Sequence, residues 1–351
     1  MSEPLEVARR IFMNDESELR CGWRVLAFLF VFILAEMLLA GLIKIAGTLF
    51  PVLRFLADRG STGEALNARR VVLLYVDAAR DLSAALIATI VCAHWLEHRS
   101  LASVGYKLHR GWFKDFSLGS LMGGCSLAIA VGVAAVAGAV TFNVRAEHLG
   151  MLVLGLLITF SFFLAAGAFE ELLFRGFAFQ ALTHNLGGAA AIGITAVFFG
   201  VAHIGNDNAS VFSTINTILA GVWLGLAYLI TRSLWLATAL HYSWNFAMVF
   251  VFGLPVSGFT TFNGVSWLQG HSGSPVWVSG GSYGPEAGMC ATVALLVSTM
   301  VIWRSGFFKA SPEMLAAIKH GKRELSYVSI TSEAAEPSLI EQVPGDDGPP
   351  T

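Results

Sequence analysis

LGMLVLGLLITFSFFLAAGAFEELLFR, residues 149–175, is the stretch from which the fold is read. From Leu149 to Phe169 it carries no ionisable side chain. A helix crosses the hydrocarbon of a bilayer with about 20 mostly apolar residues, so the run predicts a span over about 149–172, closed by charged residues. Seven further stretches have the same character, at about 23–43, 71–96, 116–141, 186–205, 211–230, 233–253 and 286–307. Composition agrees: 55% of the chain is hydrophobic and 13% charged, against about 25% charged in soluble domains. The expected fold class is therefore all-α, a polytopic transmembrane helical bundle of about eight spans. A net charge of −2 supplies no basic field, which argues against a nucleic-acid partner. The four cysteines, Cys21, Cys92, Cys125 and Cys290, form no CxxC pair, so neither a disulfide framework nor a thiolate zinc site is expected.

The apolar stretches divide the chain into a cytoplasmic N-terminal segment (1–22), a membrane core (23–307) and a cytoplasmic tail (308–351). The first stretch, Val25 to Ile43, outruns the 7–15 apolar residues typical of a signal peptide and reads as a retained span. Beyond about residue 325 the tail is rich in Ser, Glu, Asp and Pro, a composition that predicts disorder. Lys and Arg collect before the first stretch, after the second (Arg99, Lys107, Arg110, Lys114) and after the eighth (Arg304, Lys309, Lys319, Lys322, Arg323). That alternation places both termini in the cytoplasm, although Arg54, Arg59, Arg69 and Arg70 run against it. The connection 254–285 has no Lys, Arg, Asp or Glu and includes Trp267 and Trp277. Its aromatics suit either the membrane interface or the cover of a cavity. Gly119-xxx-Gly123 and Gly221-xxx-Gly225 allow helix backbones to approach closely within a bundle.

Ionisable residues within spans are costly, face the bundle interior, and pair or work there. Glu170 and Glu171 are separated by about 100° around a helix. Glu171 and Arg175 stand at i,i+4 and can pair, which leaves Glu170 without a local cation. Phe199 and His203, and likewise His241 and Asn245, each share one helix face. Each histidine taken alone reads as a hydrogen-bonding strut between helices. Together the residues supply a carboxylate base, an imidazole to sit beside it, and two donors for a developing oxyanion.

The series Glu-Glu-xxx-Arg, Phe-xxx-His and His-xxx-Asn resembles the CAAX-protease and bacteriocin-processing (CPBP, or Abi) family of intramembrane proteases, closely over about 149–250. The stretch GGSYGPEAG at 280–288 is also similar to bacterial members. The resemblance implies an intramembrane endopeptidase, glutamate-type or metal-dependent, that hydrolyses a peptide bond of a membrane-associated peptide or protein. Glu170 would activate the water, assisted by His203; His241 and Asn245 would form the oxyanion site; Glu171 and Arg175 would position the first carboxylate. Glu170, His203 and His241 would also make a three-ligand zinc site with an open water position. Asn245 suits an oxyanion better than zinc. The implied location is a bacterial inner membrane, with the lipid bilayer and the substrate as partners.

Glu170 and His203 both fall late in oppositely directed spans. They meet only if the fourth span continues through Phe177, which the apolar run Phe174 to Leu182 permits, or if the fifth is short or tilted. His94, Glu97 and His98 match the HxxEH pattern of zinc peptidases, but at a span end, out of that pattern's context. Asp77, Arg80 and Asp81 on the second stretch read as an ion pair holding helices together. The rival readings are a proton- or ion-coupled transporter, for which those carboxylates would be a path, and a non-catalytic protease-fold scaffold or immunity factor.

Overall fold

The computed structural model describes residues 11–14, 19–50, 53, 68–145 and 148–319. Arg54, Arg59 and the tail expected to be disordered lie outside the described residues. Ten helices of eight residues or more are described: α1 Cys21–Leu49, α2 Ala68–Thr89, α3 Trp112–Val136, α4 Leu149–Arg175, α5 Phe177–Leu186, α6 Gly188–Ala202, α7 Val211–Thr231, α8 Leu234–Phe246, α9 Met289–Arg304 and α10 Pro312–Lys319. The chain is mainly α, as the apolar runs require.

Among the described residues, α1, α3, α7 and the pair α4–α5 are long and apolar enough to cross a membrane. The protein is thus an integral membrane protein. The other expected spans are present as helices but differ in kind. α2 carries Arg69, Arg70, Asp77, Arg80 and Asp81. α6 and α9 have 15 and 16 residues, short of the usual span length. α8 is buried around nearly its whole circumference, and a helix sheathed by protein need not match the lipid.

Close backbone approach builds the middle of the bundle. α3 packs along α8, and a Cβ on Gly119 would stand 2.8 Å from that of Ala239. One on Gly123 would collide with Leu240 O and Ser243 Oγ. On the other side, a Cβ on Gly221 of α7 would lie 2.7 Å from Ala196 Cα of α6. Both small-residue spacings therefore serve packing within the chain. α4 lies against α8, which brings the Glu-Glu-xxx-Arg and His-xxx-Asn motifs together.

The third span ends earlier than expected, at Val136, because Gly138 turns the chain at φ +73°. The residues released form a strand, β1 Val140–Val144, antiparallel to β2 Leu268–Ser272, with Val140 opposite Ser272 and Val144 opposite Leu268. The uncharged 254–285 connection is therefore tied down by this pairing. Phe259 and Phe262 pack on Phe162, while Trp267 and Trp277 remain exposed. Phe259 also lines a cavity within the bundle.

Arg80 bonds Asp77 (3.0 Å) and Asp81 (2.6 Å) on its own helix and reaches Glu36 of α1 at 2.6 Å. The pair expected on α2 is thus a link between two helices. The HxxEH match dissolves in the structure. Residues Ile90–Leu96 are π-helical, which breaks the i,i+4 register, and Glu97 is held by Arg24 and Arg99.

Candidate active site

α4 runs to Arg175, breaks at Gly176 where a Cβ would meet Leu172 O, and resumes as α5. α6 is short and ends at His203, its C-cap residue. Both routes by which Glu170 and His203 can meet are thus present. Glu170, His203, His241 and Asn245 all line one cavity of about 650 Å³.

Glu170 Oε2 lies 3.9 Å from His203 Nε2 and 3.8 Å from His241 Nε2. That oxygen is shielded from solvent and has no hydrogen-bond partner among the described residues. Both imidazoles are oriented from behind. His203 Nδ1 is 2.7 Å from Phe199 O, and His241 Nδ1 is 2.8 Å from Glu171 Oε1. Each Nδ1 faces an acceptor and so carries a proton, which leaves Nε2 to accept in a neutral ring or to donate in an imidazolium. One carboxylate oxygen and two imidazole nitrogens therefore converge at distances too long for direct hydrogen bonds. Such a place suits a water molecule or a proton.

Glu171 has more to do than its sequence position shows. Its side chain and that of Arg175 are both 0% exposed and bonded at 3.1 Å, while the same oxygen, Oε1, holds His241. Arg175 in turn donates to Gly221 O on α7 at 3.2 Å and lies 4.5 Å over the ring of Phe199. Phe199 also packs against His203 and His241, with centroids 4.7 and 5.9 Å away. The phenylalanine of Phe-xxx-His is thus the floor on which Arg175 and both imidazoles rest. Asn245 lies one helical turn beyond His241 on the cavity wall.

Zinc at about 2.1 Å from three tetrahedral ligands holds them about 3.4 Å apart. The Glu170–histidine separations of 3.8 and 3.9 Å are wider, and no group of three His, Cys, Asp or Glu among the described residues is arranged to hold a metal ion.

A third carboxylate escaped the sequence reading. Glu286, from the turn Pro285–Ala287, lines the same cavity, as do Ser257 and Gly258 of the 254–285 connection. Its signal was there: Glu286 is the first Lys, Arg, Asp or Glu after Arg232.

Residues 152–247 match the family described as type II CAAX prenyl endopeptidase Rce1-like. The match bears out the resemblance read from the three motifs. It covers about a quarter of the chain and contains all six residues of those motifs discussed as candidate catalytic groups. No curated protein matches the chain.

Proposed function

We propose, taking the Rce1-like character of residues 152–247 as the premise, that this protein is an intramembrane endopeptidase whose Glu170 activates water against a peptide bond. The observation that carries this reading is the convergence of Glu170 Oε2 on the Nε2 atoms of His203 and His241 in a cavity within an apolar bundle. A water placed there gives a proton to Glu170 as its oxygen attacks the carbonyl carbon. His203, held by Phe199 O, accepts a hydrogen bond from that water and orients it. The charge that develops on the carbonyl oxygen is met by the Asn245 amide and by His241. With its Nδ1–H committed to Glu171, His241 donates to the oxyanion from Nε2 as the imidazolium, and the buried Glu171 carboxylate is the counter-charge. Glu170 then returns the proton to the leaving nitrogen as the carbon–nitrogen bond breaks, releasing an acid and an amine.

The substrate we propose is a peptide or protein reached from the bilayer of a bacterial inner membrane and cut near its surface. A helical substrate must unwind to present its carbonyl, because a helix keeps that group in its own hydrogen bonds. Comparing the protein termini of membranes holding wild type or Glu170→Gln tests the function. New termini confined to wild type support it, whereas identical termini together with a difference in proton or ion flux would establish the transporter reading instead.

The spacing of the donors supports a metal-free reaction. EDTA or phenanthroline at millimolar concentration is expected to leave cleavage within about twofold of the untreated level, the range of effects too small to mark the loss of an essential metal. Loss that added Zn²⁺ restores would reverse this assignment.

From the basic loops we place both termini in the cytoplasm. Single cysteines at Ser272 and Ser338 should then react with an impermeant maleimide from opposite sides of the membrane. Labelling of both from one side would overturn the topology.

A further inference from the structure

Glu286 is built into the cavity by a loop that only its glycines permit. Gly280 and Gly284 have φ of +78° and +108°. A Cβ on Gly284 would strike Pro255 O, and one on Gly288 would strike Val278 O. Asn216 of α7 donates to the carbonyls of Glu286 (2.8 Å) and Gly288 (3.1 Å), and Thr292 fixes the Asn216 amide at 2.8 Å. So anchored, the Glu286 carboxylate accepts two hydrogen bonds at one oxygen, from Ser257 N–H at 2.6 Å and Ser257 Oγ–H at 2.8 Å.

Ser257 is where this carboxylate has its effect. Its φ is +48°, a left-handed conformation that a non-glycine residue adopts at a cost and keeps only when its surroundings over-determine it. The next residue, Gly258, has φ +83° and donates to Tyr283 O at 2.8 Å, while a Cβ there would strike Asp207 O in the loop following His203. Val256 and Phe259 close the turn with reciprocal hydrogen bonds of 3.1 and 2.7 Å. Residues Val256 to Phe259 line the cavity that Glu170, His203, His241 and Asn245 also line.

We propose that Glu286 is a positioning residue for the hydrolysis, acting through Ser257 to hold the 256–259 turn as a rigid wall against which the substrate segment is seated. The proposal rests on the endopeptidase reading of the same cavity, although Glu286 lies outside the matched residues. A hydrogen-bonding role separates from a charge role by substitution. Gln keeps an oxygen that can accept from Ser257, whereas Ala keeps none. Gly at position 257 tolerates a left-handed φ without the clamp.

The experiment uses the full chain in lipid nanodiscs and two readouts, amide exchange at residues 256–259 and the yield of the termini that depend on Glu170. Glu286→Ala removes both hydrogen bonds from Ser257 and is expected to speed exchange at Ser257 and lower cleavage, each by at least about tenfold. Glu286→Gln should stay within about threefold of wild type in both. Adding Ser257→Gly to Glu286→Ala should recover most of the cleavage. Faster exchange with undiminished cleavage would make the clamp structural only and overturn the proposal. Equal loss of cleavage in Gln and Ala with exchange undisturbed in Gln would overturn it too, in favour of a charge acting on the reaction. If wild type yields no Glu170-dependent termini the endopeptidase reading fails, and the positioning role falls with it. Unchanged exchange in Glu286→Ala refutes the clamp while leaving that reading standing.

Discussion

Glu170→Gln is expected to lower turnover by about 10²–10⁴-fold, the contribution of a general base, in a protein that still inserts and folds. The two halves of the expectation have separate grounds. Glu170 Oε2 has no hydrogen-bond partner among the described residues, and its side chain is 25% exposed, so an isosteric amide leaves no described partner of that oxygen stranded. The amide cannot accept the proton of an attacking water. Counting the termini that appear with wild type and not with the variant measures the first half, and unfolding in detergent measures the second. Undiminished cleavage by Glu170→Gln would remove Glu170 from the reaction.

Glu171→Ala should behave in the opposite way and lose the fold first. It would leave the Arg175 guanidinium buried with a neutral carbonyl and an aromatic face for company. Breaking one half of a buried ion pair costs about 3–5 kcal/mol, a large part of the 5–15 kcal/mol that holds a typical domain. The informative companion is Glu171→Leu with Arg175→Leu. Removing both charges should restore much of the stability, yet cleavage should stay low, because His241 has lost the carboxylate that fixes its ring. Chemical unfolding and cleavage assays on the two variants decide the matter. A double variant that regains full cleavage would show that the orientation of His241 does not matter. If Glu171→Gln abolished cleavage while Glu170→Gln spared it, the base would be Glu171.

The division of labour between the adjacent carboxylates was legible in the sequence because helix geometry is local. A separation of about 100° sends the two side chains to different surroundings, and the i,i+4 offset marks Arg175 as the partner of Glu171. The meeting of α4 with α6 was legible only as a condition, that one helix be long or the other short. What stayed hidden was set by distant segments. The β1–β2 pairing joins residues as far apart as Val140 and Ser272, and the residues of β1 begin inside an apolar run that otherwise reads as helix. The bond from His241 to Glu171 spans 70 positions, and no spacing rule reaches so far. Apolarity alone does not fix the number of spans, for a related reason. An apolar stretch is the mark of burial, and α8 is buried by its neighbours as thoroughly as lipid would bury it.

The brevity of α6 bears on how the second reactant arrives. Fifteen residues of helix reach about 22 Å, whereas the hydrocarbon is about 30 Å thick. At its His203 end, Gly205, Asn206 and Asp207 continue the chain as a polar loop beside the cavity. A longer helix there would close that side of the cavity, whereas the proposed hydrolysis consumes one water per bond cut. The polar loop that follows the short helix would give that water a path to Glu170.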